Sequence, residues 1–355
     1  MKRLIAFLLV SAMVVLGLAS CGGGVETSDS LSESVSESES VSDSASESVS
    51  ESESTEDGKT PIRVGGMTGP TTIGMVKLIK DDLDGVSAND YAFEIVGAAD
   101  ELTPKLLQGQ LDMAAIPVNL ASVLYNRTEG KITLLAVNTL GVLYMVAKGE
   151  EITDFEDLKG KTIYATGKGS TPEYNLRYLL SQNGIDPDRD VTLEFKSEPT
   201  EVVALLKNNE KAVAMLPQPF ATAAMNQVEG LETVMNLTEQ WDALESGSRM
   251  ITGVMVVRTE FLRENPEAVA AFLAEYEASI NYVSANPAEM APLVEEYVGV
   301  KAGIATVAIP KCNLAFLSGN DMKAAVSGYL GVLFDAAPQS VGGALPADGF
   351  YYGAN

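Results

Sequence analysis

The stretch KTIYATGKGSTPEY, residues 161–174, decides how the chain is read. Residues 162–165 predict a short buried strand, Gly167 and Gly169 a turn, and Thr171 an N-cap with Pro172 at the first helical position. A helix therefore starts where a strand ends. The first N–H groups of such a helix lack internal partners and the macrodipole adds roughly half a positive charge, so the junction favours an anionic or acceptor-rich ligand. The glycines let that ligand approach the backbone.

The same arrangement occurs in RVGGMTGPTT, residues 63–72. A shift of 100 residues superposes Gly69 on Gly169 and Thr71 on Thr171, and further along Leu106 on Leu206, Ala114 on Ala214 and Pro117 on Pro217. Agreement held over that length is the mark of an internal duplication. Each half reads as strand, loop, helix, strand, helix, strand, then a proline-marked loop, IPVN at 116–119 and LPQP at 216–219, leading into another helix. Two similar α/β lobes are expected.

The 355 residues suffice for two domains with substantial cores. Residues 1–21 have a basic start (Lys2, Arg3), an apolar run and small residues before a cysteine, which predicts a secretory signal peptide. The ending Leu-Ala-Ser-Cys resembles the lipobox of bacterial lipoproteins, in which Cys21 becomes the lipidated first residue of the mature chain. Residues 22–59 are rich in Ser, Glu and Asp with nothing to build a core from, and are expected to form a disordered, self-repelling tether. That segment carries a large part of the net charge of −25. No basic patch suited to nucleic acid is visible.

Chemistry is constrained by what is missing. Histidine is absent, which removes the commonest general base and metal ligand and weighs against hydrolase function. Only Cys312 remains beyond the lipobox, so no intramolecular disulfide is expected in the mature chain, and its apolar neighbours in IPKCNLAFL predict a buried, inert thiol. No Asp-x-Asp-x-Asp spacing suggests a metal site, and DDLD at 81–84 reads as a solvated helix end. No catalytic residue, metal or cofactor is assigned.

In the first lobe the pattern predicts strands at 62–64, 93–96, 111–116 and 133–137, and helices at 101–108 and 118–125. Ile73, Val76, Ile79 and Leu83 predict one helix face, and TLGVLYMVA at 139–147 a continuous strand leaving that lobe. In the second, helices are expected at 172–182 (closed by Asn183-Gly184), 200–208 and 220–227, with strands at 191–195 and 212–216. A β-branched run at 250–257 reads as the return crossing, so two crossing strands form a hinge. The expected division is 60–142 with 253–355 as lobe 1, carrying C-terminal helices at 266–282, 287–297 and 321–334, and 143–252 as lobe 2. Residues 339–355 are expected as irregular coil.

FEDLKGKTIYATGKGSTPEY, AMLPQPFATAA and RTEFLRENPEAVAAFLAEYEASINYV resemble the solute-binding proteins of ABC importers, in the branch of nitrate, sulfonate, taurine and thiamine-precursor uptake. The likeness covers essentially everything from Thr60 onward. It implies a type II periplasmic-binding-protein fold, an α/β fold in which two lobes joined by two crossing strands close on a small molecule. It also implies delivery to an ABC permease and its ATPase. With the lipobox and tether, it implies a monomeric, lipid-anchored protein on the outer face of the cytoplasmic membrane, of Gram-positive type.

Ligands of open α/β sheets sit at the carboxyl ends of strands. The ligand-binding residues expected on that basis are Thr68, Gly69, Thr71, Thr72, Asn119, Thr166, Gly169, Ser170, Thr171 and Gln218. Tyr174 either stacks on a ring or faces the core, Lys168 is either an anion contact or a solvated loop residue, and Arg249 is within reach of the same place. Two other readings stand beside transport: an envelope sensor on the same lobes, and a biosynthetic enzyme using Asp100, Glu101 or Glu173 for acid–base work. The solute itself is left open between an oxyanion, sulfonate or carboxylate and a neutral heterocycle such as a thiamine or riboflavin precursor.

Overall fold

The structure, a computed structural model, describes residues 58–244 and 247–355. The leader, Cys21 and nearly all of the acidic run lie outside the described residues. The first half runs β1 (Pro61–Met67), α1 (Pro70–Ile73), α2 (Val76–Leu83), β2 (Asp90–Val96), α3 (Ala99–Leu107), β3 (Met113–Pro117), α4 (Val118–Arg127) and β4 (Ile132–Leu140). The second runs β5 (Leu143–Lys148), β6 (Thr162–Thr166), α5 (Thr171–Gln182), β7 (Thr192–Lys196), α6 (Pro199–Asn208), β8 (Ala212–Pro217), α7 (Phe220–Gln227), β9 (Leu231–Asn236) and α8 (Leu237–Asp242). The chain returns through β10 (Ile251–Arg258), then α9 (Thr259–Glu264), α10 (Pro266–Ala285), α11 (Pro287–Val298), α12 (Ala302–Ala308), β11 (Leu314–Leu317) and α13 (Gly319–Ala336).

Two sheets result, one of order β11-β4-β10-β3-β1-β2 and one of order β7-β6-β8-β5-β9. The duplication is visible in their pairing. β1 lies parallel between β2 and β3, and β6 lies parallel between β7 and β8, with Gly65 opposite Ala114 and Tyr164 opposite Ala214. Each sheet is extended by an antiparallel strand that meets its proline: Gly253 opposite Pro117, and Leu143 opposite Pro217. The central strands read as continuous apolar runs because helices cover both faces; all of β3 is buried, as is β8 up to Pro217.

Several elements differ from the expectations. Residues 139–147 are not one strand: β4 stops at Leu140, Gly141 and Val142 turn, and β5 begins in the other sheet. A Cβ at Gly141 would collide with the Thr238 hydroxyl, so a side chain has no room there. The apolar face predicted from Ile73 to Leu83 is split between α1 and α2 at Gly74, whose missing side chain admits Ile280, and Leu83 is 72% exposed. The N-cap of α5 is Ser170 rather than Thr171, so Pro172 is the second helical residue. Strands β9 and β11 and helices α8, α9 and α12 have no counterpart in the sequence reading. The tail is not only coil, since it contains two short 3-10 turns and pairs Tyr351 with Leu134.

The last helix also touches the second half of the chain. Tyr329 of α13 packs with its ring tilted, centroids 5.4 Å apart, against the buried Trp241, and its hydroxyl donates to Asn175 Oδ1 of α5 at 2.5 Å. Cys312 is fully buried, its thiol donating to Ala308 O, and burial pushes its pKa up as expected for an inert thiol.

Candidate functional site

A cleft of about 730 Å³ opens between the two sheets, at the carboxyl ends of β1, β2, β3, β6, β7 and β8. This is the size range of small-molecule sites. Both glycine loops line it: residues 67–71 from the first half and 166–172 from the second. The lining repeats at the same 100-residue shift. Gly97 is matched by Ser197, Ala99 by Pro199, Pro117 by Pro217 and Leu120 by Phe220, so the walls are related by the duplication.

Of the residues expected to bind, Thr68, Gly69, Thr71, Thr166, Gly169, Ser170 and Thr171 line this cleft together. Thr72, Asn119 and Gln218 do not. Each is buried behind the wall and bonded to the protein itself, although Asn119 Oδ1 is left without a partner. Thr72 Oγ1 donates to Met67 O at 2.5 Å and fastens the first loop. Asn119 Nδ2 donates to Ser340 O at 3.1 Å and, across the halves, to Gly169 O at 3.4 Å. Gln218 Oε1 accepts from Thr222 Oγ1 at 2.8 Å and holds the start of α7. Tyr174 packs half-buried against the core, Lys168 is exposed at the lining, and Arg249 is exposed and outside it.

Local sequence explains how the loops are held. Gly167 and Gly169 have φ of +80° and +74°, a region that side chains rarely adopt, and this double bend brings Ser170 back so that its hydroxyl donates to Gly167 O at 2.9 Å. Glu173, one turn into α5, reaches back to accept from Gly169 N at 2.7 Å while its other oxygen accepts from Arg177 Nε at 2.8 Å. In the first half the chain is extended at Gly69 and α1 is a single turn. The rims approach closely, since a Cβ at Gly97 would lie 2.9 Å from Glu198 Oε1.

The sequence reading missed Thr252, Phe195, Phe220, Leu120, Arg127 and Lys196, all of which line the cleft. Extending the 100-residue shift beyond the glycine loops would have nominated the ends of β2 and β7 and the starts of α4 and α7. Thr252 had no such signal. It sits at a bulge, where Ile251 faces Leu140 and Gly253 faces Thr139, and the extra residue turns toward the cleft. Its carbonyl accepts from Thr171 Oγ1 at 3.4 Å, tying the return strand to the second loop.

The carboxylates considered for acid–base work have structural partners or lie at the surface. Glu101 accepts from Ala98 N at the start of α3, Glu173 is held as above, and Asp100 is exposed at the lining. No group of His, Cys, Asp and Glu residues suited to a metal ion occurs among the described residues, and none of their helices is long and apolar enough to cross a membrane.

The family described as NMT1/THI5 like matches residues 132–290, from β4 through the second sheet to α11. Two proteins of Brucella abortus and Brucella suis, which carry no more specific name than binding protein, are 27% identical over 201 residues, covering 56% of this chain. The chain spans 60% of the length of these curated relatives. Among solved structures, an ABC transporter from Parabacteroides distasonis is 24% identical, with 82% of this chain and 99% of that one covered and a TM-score of 0.68. The periplasmic aliphatic sulphonate-binding protein SsuA of Escherichia coli is 15% identical, covering 82% and 92%, with a TM-score of 0.64. The periplasmic nitrate-binding protein NrtA of Synechocystis is 16% identical, covering 69% of each chain, with a TM-score of 0.56. At these identities what is shared is the fold: two α/β lobes, as the sequence resemblance implied.

Proposed function

We propose, from a chain that matches the NMT1/THI5-like family over residues 132–290 and has the two-lobed fold of periplasmic binding proteins, that it is an extracytoplasmic solute-binding lipoprotein of an ABC importer. The solute sits between the glycine loops and draws the lobes together. It then passes unchanged to a membrane permease driven by a cytoplasmic ATPase. The observation that carries this reading is the cleft itself, whose two walls are duplicated halves facing each other at the same strand ends. Cysteine 21 would carry the lipid and the acidic run would hold the lobes off the membrane surface.

The small-molecule scale of the cleft and its hydroxyl-rich lining support binding. The structural engagement of Glu101 and Glu173 and the lack of histidine support the absence of a catalytic step. A monomer suffices, because both walls come from one chain. Calorimetric titration of the purified chain against a metabolite panel, followed by mass spectrometry of the recovered solute, is expected to return that solute intact. Vesicles bearing the permease are expected to accumulate it only when this chain and ATP are both supplied. Conversion of the solute, or uptake without the chain, would refute the proposal.

A further inference from the structure

Resting on the closing lobes of that reading, the glycine loops divide the work between them. The hydrogen bonds of the first loop stay in its own half: Thr68 N donates to Val96 O at 2.7 Å, Thr72 N to Gly69 O at 3.3 Å and Thr72 Oγ1 to Met67 O at 2.5 Å. The second loop and the helix it opens are instead stitched to the first lobe. Gly169 O accepts from Asn119 Nδ2 of α4 at 3.4 Å, Thr171 Oγ1 donates to Thr252 O of β10 at 3.4 Å, and one turn further Asn175 Oδ1 accepts from the Tyr329 hydroxyl of α13 at 2.5 Å. These partners belong to the first lobe: β10 lies in its sheet, α4 follows β3 of that sheet, and the carbonyls of Ser340 and Val341 after α13 are held by Asn119 and Ser122 of α4.

The stitches differ in what breaking them leaves behind. Asn175 and Tyr329 are fully buried and away from the cleft lining, so parting them strands polar groups where water cannot follow. Gly169 is exposed and Thr171 and Thr252 line the cleft, so water reaches them as soon as the cleft widens. Asn119 Nδ2 keeps its 3.1 Å bond to Ser340 O when Gly169 leaves. Both bonds of 3.4 Å also lie beyond the usual hydrogen-bond range and are the weaker for it. The loop does not unravel as it goes, because Ser170 Oγ stays on Gly167 O and Gly169 N on Glu173 Oε2, within the second lobe itself.

We infer that α5 is a pivoted latch. Its buried base at Asn175 stays on Tyr329 in every state of the hinge, while its tip releases Asn119 and Thr252 as the cleft opens. Asn119 and Tyr329, neither of which lines the cleft, are positioning residues: Asn119 holds the closed state, and Tyr329 marks the axis about which the second lobe turns. The first glycine loop is the fixed jaw and the second the moving one.

Lobe separation in the dialysed full chain, read by pulsed electron resonance with no solute added, tests this. Spin labels sit on cysteines replacing Gln108 and Asn208, exposed and equivalent positions of the two halves, in a chain carrying Cys21→Ser; Cys312 is buried. Asn119→Ala and Thr171→Val should each raise the ratio of long to short separations about fivefold, and about twenty-fivefold together, because each removes a hydrogen bond from the short state only. Tyr329→Phe removes a bond present in both states, so it should melt lower yet keep the native ratio. Tip variants with the native ratio, which is what a merely structural Asn119 would give, overturn the inference, and so does a Tyr329→Phe chain whose ratio shifts. Calorimetry against the metabolite panel on the same chains separates the two failures. A bound solute with unmoved separations removes the latch and leaves the solute-binding reading standing, whereas the expected ratios without binding to any member support the latch and count against that reading.

Discussion

Asp112 shows how much one residue can organise. Its carboxylate is 2% exposed and accepts from Arg63 Nε at 2.8 Å, Arg63 Nη2 at 2.6 Å and Arg258 Nη2 at 3.1 Å, joining the start of β3 to β1 and to the end of β10. The bond to Asp112 raises the Arg63 pKa against the lowering that burial imposes. Asp112→Ala should cost about 2–4 kcal/mol in urea unfolding, toward the low side of the range for a broken buried pair because Arg63 can turn to water. The sequence signals a buried polar residue far better than it signals its direction. Thr72, Asn119 and Gln218 stand at the strand ends just as Thr71 and Thr171 do. Yet one rotation about the chain decides whether a hydroxyl or amide faces the cleft or ties down the loop behind it. Thr252 faces the cleft only because of a bulge, and a bulge depends on strand pairing that no local pattern encodes.

Among the elements, α5 was the most legible. Its apolar residues Leu176, Leu179 and Leu180 are fully buried, and it stops at Asn183 with Gly184 at φ +74° in open space. Gly184→Ala should therefore destabilise by about 1 kcal/mol through backbone strain alone, with the same cleft affinity by calorimetry. Tyr329→Phe in α13 leaves the Asn175 side chain of α5 without its hydroxyl donor and should cost about 1–2 kcal/mol, detectable as a lower melting point. What escaped the sequence was short or at an edge. β9 holds one edge of its sheet and alternates poorly (LETVMN), and β11 is four half-buried residues on the edge of the other. The break at Gly141 is hidden inside an apolar run because what forbids a side chain there is Thr238, 97 positions away in sequence.

At the scale of the molecule, burial holds a set of groups neutral, among them the Cys312 thiol and the phenols of Tyr91, Tyr276, Tyr329 and Tyr351, all with pKa values raised from 9.0 or 10.0. Above about pH 9 the unfolded chain gives up these protons while the folded one keeps them, so the unfolded state binds fewer and stability must fall as pH rises. Each group adds up to about 1.4 kcal/mol per pH unit in the window above its unfolded value. Denaturation followed from pH 7 to pH 11 should show a plateau ending near pH 9; stability that rises through this range would contradict the burial described. The overall division into two lobes was legible because the repeat announced it. The insertion of β10 between β3 and β4 was not, since strands that far apart in sequence leave no local trace of their neighbourhood. That insertion sets an order of events during synthesis. A ribosome that has made β1 to β4 has made four strands that cannot yet close into their sheet, because the strand separating β3 from β4 is still 110 residues away, from the end of β4 at Leu140 to Met250 before β10. The first lobe must wait for the second to be translated, and its sheet stays incomplete for most of the chain's time on the ribosome.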